Sequence, residues 1–528
     1  MLAGLNSHSH KKEDPVAPYR LPDGPSDAYA ATRTRMGELI EHLSGSGMAS
    51  CTQEQLEQFV TAAGRELQRQ AIQDFLDERA RTEARLAVVE GADGVARRRA
   101  ERGHARQVAT TVGRVSVARI AYRAAGASNL HPADAELSLP GCLYSRPLQR
   151  LIVHEAAAGS LRRTAESVRR ATGLSLSTRQ IMQVCQRAAL DAHDFYTLPP
   201  VAQPSNQDLL VVSADATGVN MIPSGLRERV RAQGQTRANA GPQPPWAQLA
   251  ERERTGRCRM ATVTAVYDTT PVPRRGADVL PRTAAERAAR TRAAPRAEHR
   301  EVHASLKHTA AEMITGMFDL AEQRDLGHRR RWIVLLDGNN HQIERVRHEA
   351  AKRGVHIDII IDFVHVLEYL WHAAEDLHPS APTRQAFVAR TARDILDGRS
   401  SRVAAQLHAH ARSHTAAPGE GSRKAKATGT ERAAAYLSAK EDLLGYDIAL
   451  ALGWPIATGV IEGCCRFLIK DRLDVTGARW SLPGAEAILL LRAVIDNGDF
   501  EAYWAHHGQR EHERQHTTRY RHHYTTTT

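Results

Sequence analysis

The distribution of apolar residues divides the chain into a helical first part and a second part in which strands and helices alternate. Between residues 52 and 76 the apolar positions recur with helical spacing, and Thr52 with Gln55 has the spacing of a capping box. Residues 1–32 are polar, contain four prolines and show no periodicity. We therefore expect a disordered tail over 1–32 and a mainly helical N-terminal region over 33–200.

Within this first region, residues 108–122 alternate between apolar and polar side chains around Gly113 and Arg114, which predicts a β-hairpin. Residues 160–190 predict two short helices. Ser160 has the position of an N-cap for the first, and Gly173 ends it. Ser177 opens the second helix in a further capping box.

The second of these helices directs Arg179, Gln183 and Arg187 outward. Two short helices around a glycine turn, with such side chains exposed on the second, are typical of a helix-turn-helix. Arg and Gln can each form two hydrogen bonds with the edge of a guanine or an adenine, respectively. The pattern predicts a DNA-binding surface at these three residues, although an ordinary helical hairpin would produce the same periodicity.

The second part of the chain predicts an α/β domain. The alternation of strands and helices implies a mixed sheet with helices on its faces. We expect strands over 209–212, 261–267, 332–336 and 355–361, and helices over 306–320, 341–352 and 364–374. Segments 222–256 and 269–304 are rich in Arg, Ala, Gly and Pro and are interpreted as surface insertions, whereas 380–450 is mostly helical.

Charge and cysteine usage narrow the class of protein. The net charge of +11 favours a polyanionic partner, because Lys and Arg release counterions when they bind phosphates. The six cysteines form no CxxC pair, which argues against a disulfide framework or a Cys-based zinc site and fits a reducing cytosol. With no secretory signal and no apolar run long enough for a bilayer, we expect a cytoplasmic protein without a membrane partner.

Three acidic residues far apart in the sequence are candidates for metal-dependent chemistry. Asp215 and Asp337 follow apolar strands, and side chains at strand ends project into the crevice where ligands bind. Glu462 lies near the start of a predicted helix and shares one face with Arg466 and Lys470. Carboxylates are the ligands that Mg²⁺ prefers, and two such ions can drive phosphodiester cleavage. An Asp after a strand is also a common helix cap or turn former, and Asp362 fits that alternative.

Several segments resemble the ISKra-type insertion-sequence transposases, relatives of the Mutator-like group. The resemblance covers roughly residues 105–505 and is strongest after 330. It rests on two long blocks, 362–371 (DFVHVLEYLW) and 453–463 (GWPIATGVIEG), and on the shorter segments 213–218, 335–338, 470–472 and 476–481.

This resemblance implies a DDE transposase that binds double-stranded DNA at its element ends and at a target, and that cleaves and joins strands as a homo-oligomer. Residues 205–500 would form an RNase H-like core with an all-helical insertion at about 380–450. Asp215, Asp337 and Glu462 would be the catalytic acids and would hold two Mg²⁺ or Mn²⁺ ions. Asp362 and His365 would form a supporting D-x-x-H element, although His365 could equally be a helix residue packed near Trp371.

One feature departs from this family. Its members often carry paired cysteines after the hairpin, and segment 123–129 has none, which again makes zinc unlikely.

Further interpretations concern the DNA contacts and the tail. The basic residues around the last block are candidates for contacts with the DNA backbone: Arg466, Lys470, Arg472 and Arg479. Residues 501–528 are rich in His and Arg, and we expect a disordered tail rather than a metal site. A DNA-processing protein of this kind would be associated with the nucleoid. The alternatives are a structure-specific nuclease of the same fold and a catalytically inactive DNA-binding derivative.

Overall fold

The computed structural model describes residues 19, 21, 27–197, 209–228, 230–232, 257–289, 293–414, 428–475 and 477–521. The chain forms two compact units, residues 1–191 with 504–528 and residues 192–503. Most of the predicted tail at 1–32 and of the insertion at 222–256 lies outside the described residues.

The first unit is mostly helical with one long hairpin. Thr52 and Gln55 form the predicted capping box at the start of the second helix. Its elements are α1 Ala30–Ser44, α2 Gln53–Thr82, β1 Val89–Glu90, β2 Ala96–Arg97, β3 Arg99–Thr110, β4 Gly113–Arg123, α3 Pro132–Glu136, α4 Arg146–Ala158, α5 Leu161–Thr172 and α6 Thr178–Ala188.

The hairpin predicted at 108–122 is present but longer, because β3 begins at Arg99. Its N-terminal half is charged and lacks the apolar alternation that reveals a strand in sequence. The chain turns at residues 111–112, and Gly113 adopts a φ of 136° that a residue with a Cβ would rarely tolerate. Val108, Val115 and Val117 pack with Leu76 of α2 in a small core.

Helix α5 begins and ends as predicted, and α6 begins as predicted. Ser160 accepts a hydrogen bond from the backbone of Arg163, and Gly173 ends α5 with a left-handed φ of 76°. Ser177 and Gln180 form a complete capping box at the start of α6. The caps are therefore confirmed, whereas the assignment of the pair as a DNA-reading motif stays a prediction.

The second unit contains a five-stranded mixed sheet, as the alternation of elements predicted. Its strands are β5 Leu209–Asn220, β6 Cys258–Thr269, β7 Glu298–Ser305, β8 Trp332–Leu336 and β9 Ile357–Ile361. The strand order is β7-β6-β5-β8-β9. The strands β5, β6 and β7 pair antiparallel, whereas β8 and β9 continue the sheet in parallel with β5.

The interpretation of 269–304 as an insertion is wrong at its C-terminal end, where β7 forms an edge of this sheet. The strand was missed because only Val302 and Ala304 are apolar among its residues. Charged residues are common on edge strands, where they oppose pairing with other chains.

Helices cover this sheet and extend its core. They are α7 Ala192–Tyr196, α8 Gly276–Val279, α9 Ala284–Ala288, α10 Ala310–Arg324, α11 Asn340–Arg353, α12 Phe363–Leu377, α13 Ala381–Leu396, α14 Ser400–His414, α15 Gly429–Ala439, α16 Tyr446–Ala451, α17 Gly459–Cys465 and α18 Leu482–Asp496. One apolar cluster runs from β5, β8 and β9 into α12 to α16. The helical segment at 380–450 therefore shares its core with the sheet. None of the described helices has the length and apolarity to cross a bilayer.

As far as residue 521, the C-terminal segment corrects the prediction of a disordered tail over 501–528; residues 522–528 lie outside the described residues. Residues Phe500–Gln515 form the helix α19, and a 3-10 turn follows at Thr517–Arg519. Within the first unit, the carboxylate of Asp191 is 2% exposed and binds this helix. It accepts hydrogen bonds from Arg514 at 2.6 and 2.7 Å and from the ring of His507 at 2.6 Å.

Burial raises the pKa of Asp191, but the hydrogen bonds from Arg514 and His507 outweigh burial and leave the pKa below its usual value. Because the pKa of Asp191 is lower in the folded state, its hydrogen bonds stabilise the fold at pH values above the pKa of Asp191 in the unfolded state. This contribution is lost as the pH falls through the lower, folded value.

The substitution Asp191→Ala should lower the free energy of unfolding by about 3 kcal/mol at neutral pH, because it leaves the buried His507 and the Arg514 guanidinium without their acceptor. It should also expose residues 504–521 to trypsin. The control is Glu513→Ala, which removes an exposed ion pair with Arg510 and should cost less than about 0.5 kcal/mol. Urea unfolding and limited proteolysis measure both effects. Equal stability of the two variants would contradict the role of Asp191.

Candidate active site

The register of the parallel strands aligns three aspartates. Ser213 of β5 pairs with Leu335 of β8, and Leu335 pairs with Ile360 of β9. Two positions after these three paired residues, the sequence has Asp215, Asp337 and Asp362, respectively. Residues two apart on a strand point to the same face, and neighbouring strands lie about 4.8 Å apart. The register therefore places the three aspartates in one row across the sheet.

The strand that carries Asp215 does not end there, contrary to the sequence-based expectation. It continues to Asn220, and Asp215 pairs with Val263 of the antiparallel neighbour β6. On its other side β5 has no parallel partner after Ser213, because β8 ends at Leu336. The sheet is thus open beside Asp215 on the side where β8 ends.

Asp362 connects the sheet to the segment that carries Glu462. Its Oδ1 accepts a hydrogen bond from the backbone of Val364 at 3.1 Å, so Asp362 is the N-cap of α12. The same oxygen accepts a hydrogen bond from the backbone N–H of Thr458 at 3.1 Å. The hydroxyl of Thr458 in turn donates to Glu462 at 3.0 Å. The alternative interpretation of Asp362 as a helix cap is therefore confirmed, and the cap also positions the start of α17.

All three predicted acids line one cavity of about 180 Å³. Its described lining contains five carboxylates and one imidazole and no Lys or Arg side chain. The titratable lining residues are Asp215, Asp337, Asp362, Glu368, Glu462 and His365. An accumulation of carboxylates without a counter-charge is unfavourable unless protons or cations bind.

Hydrogen bonds fix one oxygen each of Asp337, Asp362 and Glu462. In Asp337 the Oδ1 accepts from the backbone N–H two residues on, at 2.9 Å. In Asp362 and Glu462 one oxygen likewise accepts the hydrogen bonds described above. The second oxygen of Asp337, Asp362 and Glu462 has no hydrogen-bond partner among the described residues. Asp215 differs, because both of its oxygens accept hydrogen bonds: Oδ1 from the backbone N–H of Ala216 at 2.6 Å, and Oδ2 from the thiol of Cys465 at 3.4 Å.

The donor set of the cavity fits a hard divalent cation. Carboxylate oxygens suit Mg²⁺ and Mn²⁺, and Mg²⁺ keeps several waters while using one or two protein carboxylates. Within the described part of the chain, no three His, Cys, Asp or Glu side chains are grouped closely enough to hold one metal ion together. The chemistry of the lining residues therefore fits a hydrated ion better than a closed cage of protein ligands.

Two tyrosines that were not candidates in the sequence analysis lie beside the row of aspartates. The hydroxyl of Tyr436 donates to the backbone carbonyl of Asp337 at 3.1 Å, and its ring stacks on Tyr369 with 4.0 Å between centroids. Gly338 has a φ of 94°, and a Cβ there would collide with the Tyr436 hydroxyl. Helix α15 of the helical segment thus contacts the turn that carries the second acid.

His365 lies against both tyrosine rings, with centroids 5.4 Å from Tyr369 and 5.9 Å from Tyr436. Its Nδ1 is 3.2 Å from Glu368. His365 lines the cavity and packs in a helix interface against these tyrosines. Its supporting role beside the acids stays a prediction.

Cys465 was also missed by sequence reasoning. It is 2% exposed, and burial, followed by the nearby charge of Asp215, raises the pKa of its thiol. A thiol that keeps its proton is a hydrogen-bond donor to the carboxylate. The spacing of three residues from Glu462 on one helix was the signal available in the sequence.

The basic residues after Glu462 fall into two groups. Helix α17 passes directly into a π-helical turn, Arg466–Lys470, where Arg466 and Lys470 are exposed; Arg479 is exposed further on. Arg472 is instead 4% exposed, and its guanidinium lies over the ring of Trp480 at 4.9 Å. The prediction that Arg472 contacts DNA is therefore wrong, because the side chain packs in the interior.

The predicted DNA-binding residues of α6 also differ from each other. Arg179 and Gln183 are exposed. Arg187 is partly buried and forms an ion pair with Glu511 at 3.1 Å, within the first unit. Its guanidinium is therefore engaged inside the protein, which does not fit the predicted contact with a base.

Comparisons with known proteins give little independent support. No protein-family model matches the sequence, and no curated protein matches it. Among solved structures, the Drosophila P element transposase strand transfer complex is similar at 9% sequence identity. The match covers 67% of this chain and 79% of that chain with a TM-score of 0.24. A TM-score this low does not establish a shared fold.

The substitution Asp362→Ala should lower the free energy of unfolding by about 2 kcal/mol, because it removes the N-cap of α12 and the acceptor for Thr458. The matched variant Asp362→Asn keeps an amide oxygen at the cap and should cost less than about 0.5 kcal/mol. Urea unfolding followed by tryptophan fluorescence measures both. An equal loss in the two variants would show that the charge of Asp362, rather than its acceptor oxygen, holds the loop.

Proposed function

We propose that this chain is a DDE transposase with an RNase H-like core, which cleaves DNA at the ends of a mobile element and transfers the strands to a target. One observation carries the proposal: Asp215, Asp337 and Glu462, which are far apart in the sequence, line one cavity whose described lining contains no Lys or Arg side chain. The mixed sheet with flanking helices and the resemblance of blocks 362–371 and 453–463 also support it.

The cofactor that fits this proposal is a pair of Mg²⁺ or Mn²⁺ ions held by Asp215, Asp337 and Glu462. When bound, such ions would lower the pKa of an attacking water and neutralise charge on the phosphate. Thr458 fixes the rotamer of Glu462, and the Cys465 thiol orients Asp215. Preset carboxylates lose little conformational freedom when they bind a cation, which favours binding.

The exposed cations next to Glu462 suit the polyanionic substrate of the proposal. Arg466, Lys470 and Arg479 would contact phosphates of the strand that enters the cavity, and Arg179 with Gln183 would read bases at the element ends. Strand transfer pairs two DNA ends, so the proposal includes a homo-oligomer on double-stranded DNA.

Replacing an acid by its amide should remove cleavage without unfolding the protein. We expect Asp215→Asn, Asp337→Asn and Glu462→Gln each to lower the rate by about 1000-fold, since several kcal/mol of charge stabilisation depend on the metal ions. The substrate is linear DNA that carries the genomic segments flanking the coding sequence, with Mg²⁺ or Mn²⁺ and an EDTA control. Gel analysis detects nicked ends and their joining to a plasmid.

The control for these variants is Asp358→Asn, which removes a carboxylate of β9 that pairs with Arg331 outside the cavity. Its cleavage should equal that of the parent chain. Activity of Asp215→Asn at the parent rate would refute the assignment, and cleavage without joining would identify a nuclease of the same fold. Binding without any metal-dependent cleavage by the parent would identify an inactive DNA-binding derivative.

The thiol of Cys465 should contribute through its hydrogen bond to Asp215. Cys465→Ala should lower the cleavage rate about fivefold, the effect of one hydrogen bond of about 1 kcal/mol, and should raise the Mg²⁺ concentration needed for half-maximal rate. Cys465→Ser keeps a donor and should restore most of the rate. If serine and alanine have the same effect, the side chain contributes by packing alone.

A further inference from the structure

A basic surface of the described first unit lies on α5, the helix before the predicted recognition helix. Four exposed arginines occur in its twelve residues: Arg162, Arg163, Arg169 and Arg170. At about 100° per residue they fall within an arc of about 120°. We call these four residues the α5 arginine face. Glu166 is the one acid within this arc.

The positive charge of the α5 arginine face is not neutralised by ion pairs within the described part of the chain. In the described part of the chain, Arg162, Arg163 and Arg169 form no ion pair, and Arg170 donates a hydrogen bond to the hydroxyl of Ser167 at 3.3 Å. Arg187 on the next helix is neutralised by Glu511 instead. Like charges that repel one another in the free protein gain most from an anionic partner.

The opposite side of α5 is buried, and this burial holds the arginine face in an orientation toward solvent. Thr164 and Val168 are fully buried and Thr172 is 2% exposed. The helix is closed at both ends by Ser160 and Gly173. The arginine face therefore belongs to a helix that cannot rotate without losing its core contacts, which is what a preorganised binding surface requires.

The dimensions of the face match duplex DNA. Arg162 and Arg170 are eight residues apart, which corresponds to about 12 Å along a helix at about 1.5 Å per residue. The major groove of B-DNA is about 12 Å wide between its two phosphate backbones. An anionic lipid surface would offer charges without this spacing, and α5 exposes no large apolar side chain that would enter a bilayer.

We propose that the α5 arginine face binds phosphates on both sides of one major groove of double-stranded DNA. This proposal rests on the proposed function in taking DNA as the partner, but it requires nothing of the carboxylate cavity. It assigns the N-terminal unit a contact with the DNA backbone on the helix before α6, in addition to the base contacts predicted for α6.

The test is the salt dependence of binding to a fluorescent 30-base-pair duplex, measured by anisotropy with the full chain in EDTA. Each phosphate contact contributes about 0.9 to the slope of log K against log salt concentration. Arg162→Ala with Arg169→Ala should lower the slope by about 2 and weaken binding about tenfold or more. The control Arg187→Ala should leave the slope unchanged.

Replacement by lysine separates charge from folding. The pair Arg162→Lys and Arg169→Lys should retain the parent slope, and circular dichroism should show the same thermal transition for all variants. A parent-like slope in the double alanine variant would overturn the proposal. So would arginine-dependent binding to vesicles of phosphatidylserine and phosphatidylcholine that is tighter than binding to the duplex.

The outcomes for the two proposals are distinguishable. Because the binding assay contains no divalent metal, Asp215→Asn should bind the duplex like the parent chain. Loss of cleavage in Asp215→Asn together with parent-like binding of the α5 variants would leave the proposed function intact and overturn this inference alone. Loss of salt-dependent binding in the α5 variants, with no cleavage by the parent, would do the reverse.

Discussion

The candidate site depends on the register between β5, β8 and β9. All five residues of β8 are buried, so an alternation of buried and exposed positions does not define its register. The indole of Trp332 defines the register of β8, because it is fully buried and donates a hydrogen bond to Asp325 at 2.9 Å. A tryptophan of this size occupies one position in the core, and the row of aspartates follows from where it sits.

Once the aspartates are in a row, the remaining acid is brought to them by a short series of hydrogen bonds. One oxygen of Asp362 caps α12 and holds the backbone of Thr458, and Thr458 holds Glu462. The same atoms that stabilise a helix start also set the geometry of the cavity. Stability and site geometry are therefore coupled at Asp362. They are also coupled at Asp337, through its contact with Tyr436.

The sequence predicted the features whose causes are local. Helix caps such as Ser177 were correct because a cap and its partner are three residues apart. The candidate acids were found because they follow apolar strands or open a helix, and the structure brings them to one cavity. The errors concern partners further away than one helical turn: Asp191 binds α19 across more than 300 residues, and Trp480 covers Arg472, eight residues before it. Composition alone described α19 as a polar tail and β7 as an insertion.

The π-helical turn after Glu462 has a consequence for how this region can vary. A π turn holds one residue more than an α-helical turn, so it absorbs a one-residue insertion without breaking the helix. The guanidinium of Arg492 binds the carbonyls of Phe467 and Leu468 that this wider turn displaces. The wider turn thus sets the angular position of the residues after it, whereas Glu462, one turn before, lies on the preceding α-helical segment. Homologous chains that lack the extra residue would present their cations at a different angle around an unchanged acid.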